Sequence, residues 1–170
     1  MPVNLELKVK VKSHKNFKTI LERTEAENRG LLNQKDIYYF VPNGLLKLRI
    51  ENGRESLIFY NRDEAGKNRW SDYKVVYFEN SGSEKLFSSV FRIKTVVEKK
   101  RKLYYLNNTR IHLDSVKELG SFLELETLVL NGKADARKRF NEVKKLLKLN
   151  SFDEIKASYR DLMLNKKNNK

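Results

Sequence analysis

The segment NLELKVKV alternates apolar and polar positions without a break. A two-residue period predicts a strand with Val3, Leu5, Leu7, Val9 and Val11 on one face. Asn4, Glu6, Lys8, Lys10 and Lys12 lie on the other. The period changes after Ser13, which can cap a helix over HKNFKTILERTEAEN with an apolar stripe of Phe17, Ile20 and Leu21. Further strands are expected at about 31–41, 44–52, 54–62 and 70–79, with PNG, ENG and DEAGKN as turn signals. SGSEKLFSSVF opens with Ser81 and Glu84 in capping-box spacing and predicts a short helix. Three more strands follow at about 93–106, 108–115 and 121–130, joined by LNN and KELG. ADARKRFNEVKKLLKL and SFDEIKASYRDLML close the chain as helices, the second opened by Ser151 and Glu154 in another capping box. Eight strands on short connections predict an antiparallel meander of the α+β class.

Composition narrows the class. With 170 residues the chain suits one domain, placed at 1–164, followed by a disordered basic tail at 165–170. No run approaches the roughly 18 apolar residues that span a bilayer, and MPVNLELK lacks a signal-peptide pattern. The absence of cysteine excludes disulfides, thiolate metal sites and a cysteine nucleophile, and fits a cytoplasmic protein. His14 and His112 are too few for a histidine-rich zinc site. His14 is expected to face solvent in the first helical turn, and His112 to make a structural hydrogen bond. The net charge of +14 points to nucleic acid or to an acidic small molecule, although LNKKNNK and VKKLLKL read as solvated lysines.

The remaining charges fall on particular strand faces. Lys47, Arg49 and Glu51 share one side of LLKLRIE. Lys99 and Arg101 share another, as do Arg110, His112 and Asp114, and Glu6 with Lys8. GSFLELETLVL sets Glu124 and Glu126 on the same face. Two arrangements give this pattern. A one-sided sheet would turn its charges to water, whereas a closed barrel would wrap them around a lumen. A lumen charge costs several kcal/mol unless it is paired, hydrated or bound to ligand. A polyphosphate with its divalent metal would satisfy both signs, and a cation between Glu124 and Glu126 would convert repulsion into chelation. Periodicity alone leaves both arrangements open.

In family order, the chain resembles the CYTH superfamily of class IV adenylyl cyclases and thiamine triphosphatases, the triphosphate tunnel metalloenzymes. NLELKVKV is similar to the family's ExExK strand, with Glu6 and Lys8 in place and Asn4 where the first glutamate stands. LLKLRI resembles the basic strand, EKKRKLYY the KxR strand, and TRIHLDSVKELGSFLELE the late hairpin. SYRDLML is similar to the closing element and carries Tyr159. The resemblance implies a closed eight-stranded antiparallel β-barrel with helices packed outside. It makes Glu6, Glu124 and Glu126 ligands of Mg²⁺ or Mn²⁺, with Asp114 a ligand or a group supporting the ligands. Lys8, Lys47, Arg49, Lys99, Arg101 and Arg110 would grip phosphates. Arg62 is the nearest cation to a lysine the family often carries in LIFYNRDE, and Asp72 is the nearest acidic partner after Arg69.

The implied chemistry opens a phosphoanhydride by in-line attack beside a polarising metal. Glu6, Lys8 and Tyr159 are the candidate catalytic residues. Attack by water gives a triphosphatase acting on inorganic tripolyphosphate, thiamine triphosphate or a nucleoside triphosphate. Attack by a ribose hydroxyl gives a cyclase that makes cAMP and pyrophosphate. No adenine-reading motif and no histidine-phenylalanine prefix is present, which favours hydrolysis. A further alternative is a non-catalytic binder of polyphosphate or RNA, using Tyr38, Tyr39, Tyr104 and Tyr105 as stacking surfaces, against simple strand packing of those rings. A triphosphate small molecule is the expected partner, ahead of nucleic acid and with no membrane role. The chain is expected to be a monomer or homodimer.

Overall fold

The computed structural model describes residues 4–62, 71–79 and 82–168, with backbone alone at 61, 62 and 71–73. Its strands are β1 (Asn4–Val11), β2 (Glu27–Tyr39), β3 (Leu45–Glu51), β4 (Arg54–Arg62), β5 (Ser71–Tyr77), β6 (Ile93–Leu106), β7 (Thr109–Val116) and β8 (Gly120–Leu128). The helices are α1 (Lys15–Glu22), α2 (Ser83–Val90), α3 (Lys133–Leu146) and α4 (Tyr159–Asn168), with a 3₁₀ turn at Leu149–Ser151. One eight-stranded antiparallel sheet runs in the order β1-β8-β7-β6-β2-β3-β4-β5. The α+β class and the eight strands are as expected. The hydrogen-bonded order ends at β1 and β5, so among the described residues the backbone ladder does not itself close the ring. No helix among them is long and apolar enough to cross a membrane. Ser81 and the first residue of the strand expected at 70–79 lie outside the described residues.

The chain packs as two compact units. The first comprises the described residues up to Leu31 with Lys100–Val116 and Gly120–Lys156; the second comprises Leu32–Lys99, Lys117–Leu119 and the described residues from Ala157.

In the first unit, register carries apolar rows straight across three strands: Leu7 faces Leu125 and Val9 faces Leu123, which in turn face Ile111 and Leu113. These rows bury against Phe17 and Leu21 of α1 and against Phe140, Val143 and Leu147 of α3. Each fully buried side chain contributes about 1.5–3 kcal/mol. The core also fixes the site, because a one-residue slip would exchange the apolar rows for the charged ones.

Helix α1 is shorter than the expected HKNFKTILERTEAEN. Ser13 Oγ accepts the Lys15 N–H at 3.2 Å, while Thr24 turns the chain by donating to the Leu21 carbonyl at 2.7 Å. Glu27 onward is drawn into β2. His14, expected in solvent, is half-buried with Nε2 3.0 Å from the Phe122 carbonyl. The last helix is also corrected. Residues 152–158 are not helical, Glu154 bridges Val9, and the Ile155 N–H donates to the Lys8 carbonyl at 2.8 Å.

In the second unit, Ile37, Tyr39 and Leu48 pack with Leu57, Phe78, Phe87, Phe91 and Val96. Asn52 and Gly53 both take positive φ (47° and 82°), the mirror-type geometry that a tight hairpin between β3 and β4 requires. Glu55 of β4 accepts the Gly82 and Ser83 N–H groups at 3.2 and 2.8 Å, satisfying the start of α2 from outside the helix. Helix α4 starts at Tyr159 with a reciprocal cap: Ser158 Oγ accepts the Asp161 N–H at 3.1 Å, and the Asp161 carboxylate accepts the Ser158 N–H at 3.2 Å. It runs through Asn168, into the stretch expected as a tail.

Candidate functional site

Opposite the apolar rows of the first unit lies a charged lattice. Lys8, Glu124 and His112 form one rung across β1, β8 and β7, and Glu6, Glu126 and Arg110 form the next. Carboxylates occupy the middle strand. Lys8 Nζ lies 3.3 Å from one Glu124 oxygen, and Arg101 Nη2 donates to the other at 2.8 Å. Asp114, fully buried, receives Arg101 Nε and Nη2 at 2.7 Å each. That fork holds the guanidinium in one plane. Burial disfavours the Arg101 charge, but Asp114 and Glu124 outweigh it and keep the group firmly protonated. Arg110 is the outlier, exposed and 3.5 Å from Glu126, where an ion pair contributes little.

The donors suit a divalent cation. Glu124, Glu126 and His112 each bring one ligand atom within 4.8 Å of the others. Glu6 faces Glu126 across the ladder, a repulsive placement that a cation relieves. Asn4, on the Glu6 face, has a buried Oδ1 with no hydrogen-bond partner among the described residues, a hard oxygen open to a cation. Among the described side chains, four carboxylates (Glu6, Asp114, Glu124, Glu126) meet two buried cations (Lys8, Arg101), with Lys10 and Arg110 exposed, so the less exposed part of the cluster is anionic.

The second unit has the opposite balance. Asp36 of β2 faces Arg49 of β3, and Tyr38 faces Lys47. The Asp36 carboxylate accepts Lys47 Nζ at 2.9 Å and Arg49 Nε and Nη2 at 2.7 and 2.8 Å. Burial alone would raise the Asp36 pKa, but Arg49 and Lys47 hold it well below the usual carboxylate range. Burial, reinforced by Arg49, pushes Lys47 down from 10.5 to about 7. Its ammonium lies 5.5 and 5.8 Å from the ring centres of Tyr38 and Tyr60. Burial pushes the Tyr38 hydroxyl up, with Asp36 adding to the effect. Lys99 is also buried, 4.9 Å from the Tyr159 ring centre. Among the described residues Asp36 thus stands against the buried Lys47 and the half-buried Arg49, with the buried Lys99 a third positive charge nearby, a balance that a polyanion would complete.

All the expected site residues except Arg62 have described side chains, and each falls in one of these two clusters. Arg62 and Asp72 have no described side chain, and Arg69 lies outside altogether. Asp36 was missed: QKDIYY carries no motif, and only the register with Arg49 reveals it. His112, expected only as a structural group, stands beside both glutamates. The tyrosines favour packing. Tyr38, Tyr39 and Tyr104 are buried, and Tyr105 donates to Asn108 Oδ1 at 2.8 Å.

The antiparallel sheet carries a carboxylate-rich cluster in one unit and buried cations in the other, charge patterns suited to a divalent cation and to a polyanion respectively. The chain belongs to the CYTH family, whose domain matches residues 3–159. It is similar to the PH1012 protein of Pyrococcus horikoshii at 25% identity and a TM-score of 0.80, covering 94% of this chain and 98% of that one. A conserved hypothetical protein of Pyrococcus furiosus is similar at 24% identity and a TM-score of 0.79, covering 94% and 99%. A Vibrio parahaemolyticus protein, provisionally described as an adenylate cyclase, shares the fold at 20% identity and a TM-score of 0.73, covering 95% and 97%. No curated protein matches the sequence. Membership makes this chain a triphosphate-tunnel enzyme of a generally metal-dependent family.

Proposed function

We propose that the protein hydrolyses triphosphate-bearing small molecules with Mg²⁺ or Mn²⁺, acting on inorganic tripolyphosphate, thiamine triphosphate or a nucleoside triphosphate. The observation that carries this reading is the opposite charge excess of the two clusters, carboxylates around Glu124 and cations around Lys47. A divalent cation held by Glu124 and Glu126, with Glu6 beside them, would neutralise phosphate oxygens and polarise the phosphorus.

The chain's own groups do the rest. Asp114 and Glu124 fix Arg101 through Nε and Nη2, which leaves Nη1 as the edge that can meet a phosphate without reorganising. Lys8 balances Glu124 and adds a second cation on that face. In the second unit Lys47, Arg49 and Lys99 are suited to phosphate oxygens, while Asp36 keeps the first two extended and oriented. Tyr159 supports the Lys99 ammonium through its ring.

The test is a substrate screen with Mg²⁺ and Mn²⁺ supplied separately. It offers tripolyphosphate, thiamine triphosphate and ATP, and measures phosphate, pyrophosphate and cAMP. Phosphate release that vanishes in Glu126→Gln supports the reading. Pyrophosphate with cAMP from ATP would replace hydrolysis by cyclisation, and no turnover of any substrate with either metal would sink both.

A further inference from the structure

We infer that His112 is the nitrogen donor of the cation site and biases it towards Mn²⁺ over Mg²⁺, an inference that rests on the metal reading above. His112 is 3% exposed and faces Glu124 directly across the β7–β8 ladder. Its Nδ1 lies 3.5 Å from Glu124 Oε2 and 3.8 Å from Glu126 Oε1. Both separations exceed the roughly 2.7–3.2 Å of a good N–H···O bond. They approach the spacing of neighbouring donors around a single ion. Two ligands each about 2.1–2.2 Å from a metal lie roughly 3.0–3.6 Å apart at octahedral to tetrahedral angles. The imidazole is thus buried and aimed at two carboxylates, yet held just too far for strong pairing.

Asp114 does not compete for the role. Both its oxygens are engaged by Arg101 at 2.7 Å, and among the described His, Asp and Glu side chains the group whose ligand atoms lie within 4.8 Å of one another is completed by the His112 nitrogen. Arg101 and Lys8 meanwhile hold Glu124 in place. Mn²⁺ keeps a preference for oxygen but accepts an imidazole among carboxylates more readily than Mg²⁺, which holds to oxygen ligands and its own waters.

The experiment titrates Mn²⁺ alone into the full chain and records electron spin echo modulation, with no substrate present. Wild type and His14→Gln should show imidazole nitrogen coupled to the bound ion. Labelling with ¹⁵N-histidine should change that pattern in the native protein, which decides the matter even if a His112 variant folds poorly. His112→Gln should lose the coupling and bind Mn²⁺ about tenfold or more weakly, while Mg²⁺ affinity moves by less than about threefold. Bound Mn²⁺ without nitrogen coupling overturns the inference, as does a failure of Mn²⁺ to bind. Phosphate release separates it from the hydrolase reading: turnover without coupling sinks the His112 assignment alone, and coupling without turnover sinks hydrolysis alone.

Discussion

Lys47 sets a measurable pH limit on anion binding. With its pKa near 7, the ammonium is about nine-tenths protonated at pH 6, half protonated at pH 7 and about one-tenth at pH 8. Where binding uses the charged form, its contribution to tripolyphosphate affinity falls roughly tenfold between pH 6 and pH 8, equivalent to about 1.4 kcal/mol. The polyanion also titrates in this range, so the comparison is Lys47→Arg, whose guanidinium stays charged. Calorimetric titration at pH 6, 7, 8 and 9 should show the ratio of variant to native affinity rising about tenfold from pH 6 to 8. The sign for stability is independent of ligand. The unfolded lysine keeps its proton to about 10.5 and the folded one loses it near 7, so between those values the unfolded state binds more protons. Lys47 therefore makes the fold more stable as pH rises through that window, a slope that Lys47→Met removes. A flat affinity ratio across the series would refute the reasoning.

Other side chains give sharper stability readouts. Asp114→Asn weakens the fork that holds a buried guanidinium and should cost about 3 kcal/mol, lowering Tm by roughly 6–12 °C in a circular dichroism melt. A loss under about 0.5 kcal/mol would show that Glu124 alone suffices to hold Arg101. Ser158→Ala removes the cap of α4 and should cost about 1 kcal/mol, read from the urea midpoint at unchanged m-value. Leu123→Ala, at the centre of the first core, should cost about 2–5 kcal/mol by the same titration.

Where local pattern and packing agree, the chain was readable in advance. β4 and β6 fall at 54–62 and 93–106 as the alternation predicts, because their periods and flanking turns are local signals. Failures occurred where distant segments competed for the backbone. SFDEIK has a good capping signature at Ser151 and Glu154, yet pairing with β1 outbids that helix, and the working cap shifts to Ser158 and Asp161. Glu27 leaves the predicted first helix because β2 extends to reach it. The charged faces were legible from two-residue spacing, including the pair of glutamates. Partner choice was not. That Asp114 is committed to Arg101, that Asp36 anchors Lys47 and Arg49, and that His112 approaches both glutamates all depend on cross-strand register.

The Ile155–Lys8 hydrogen bond has a bearing on solubility. β1 terminates the ladder, and its LELKVKV sequence is the kind of apolar-rich border on which a second molecule could stack and seed fibres. A few residues of the same chain sit there first, so the Lys8 carbonyl is already taken. Loosening that strap should make the protein more prone to polymerise, even with its core and its charged clusters unaltered.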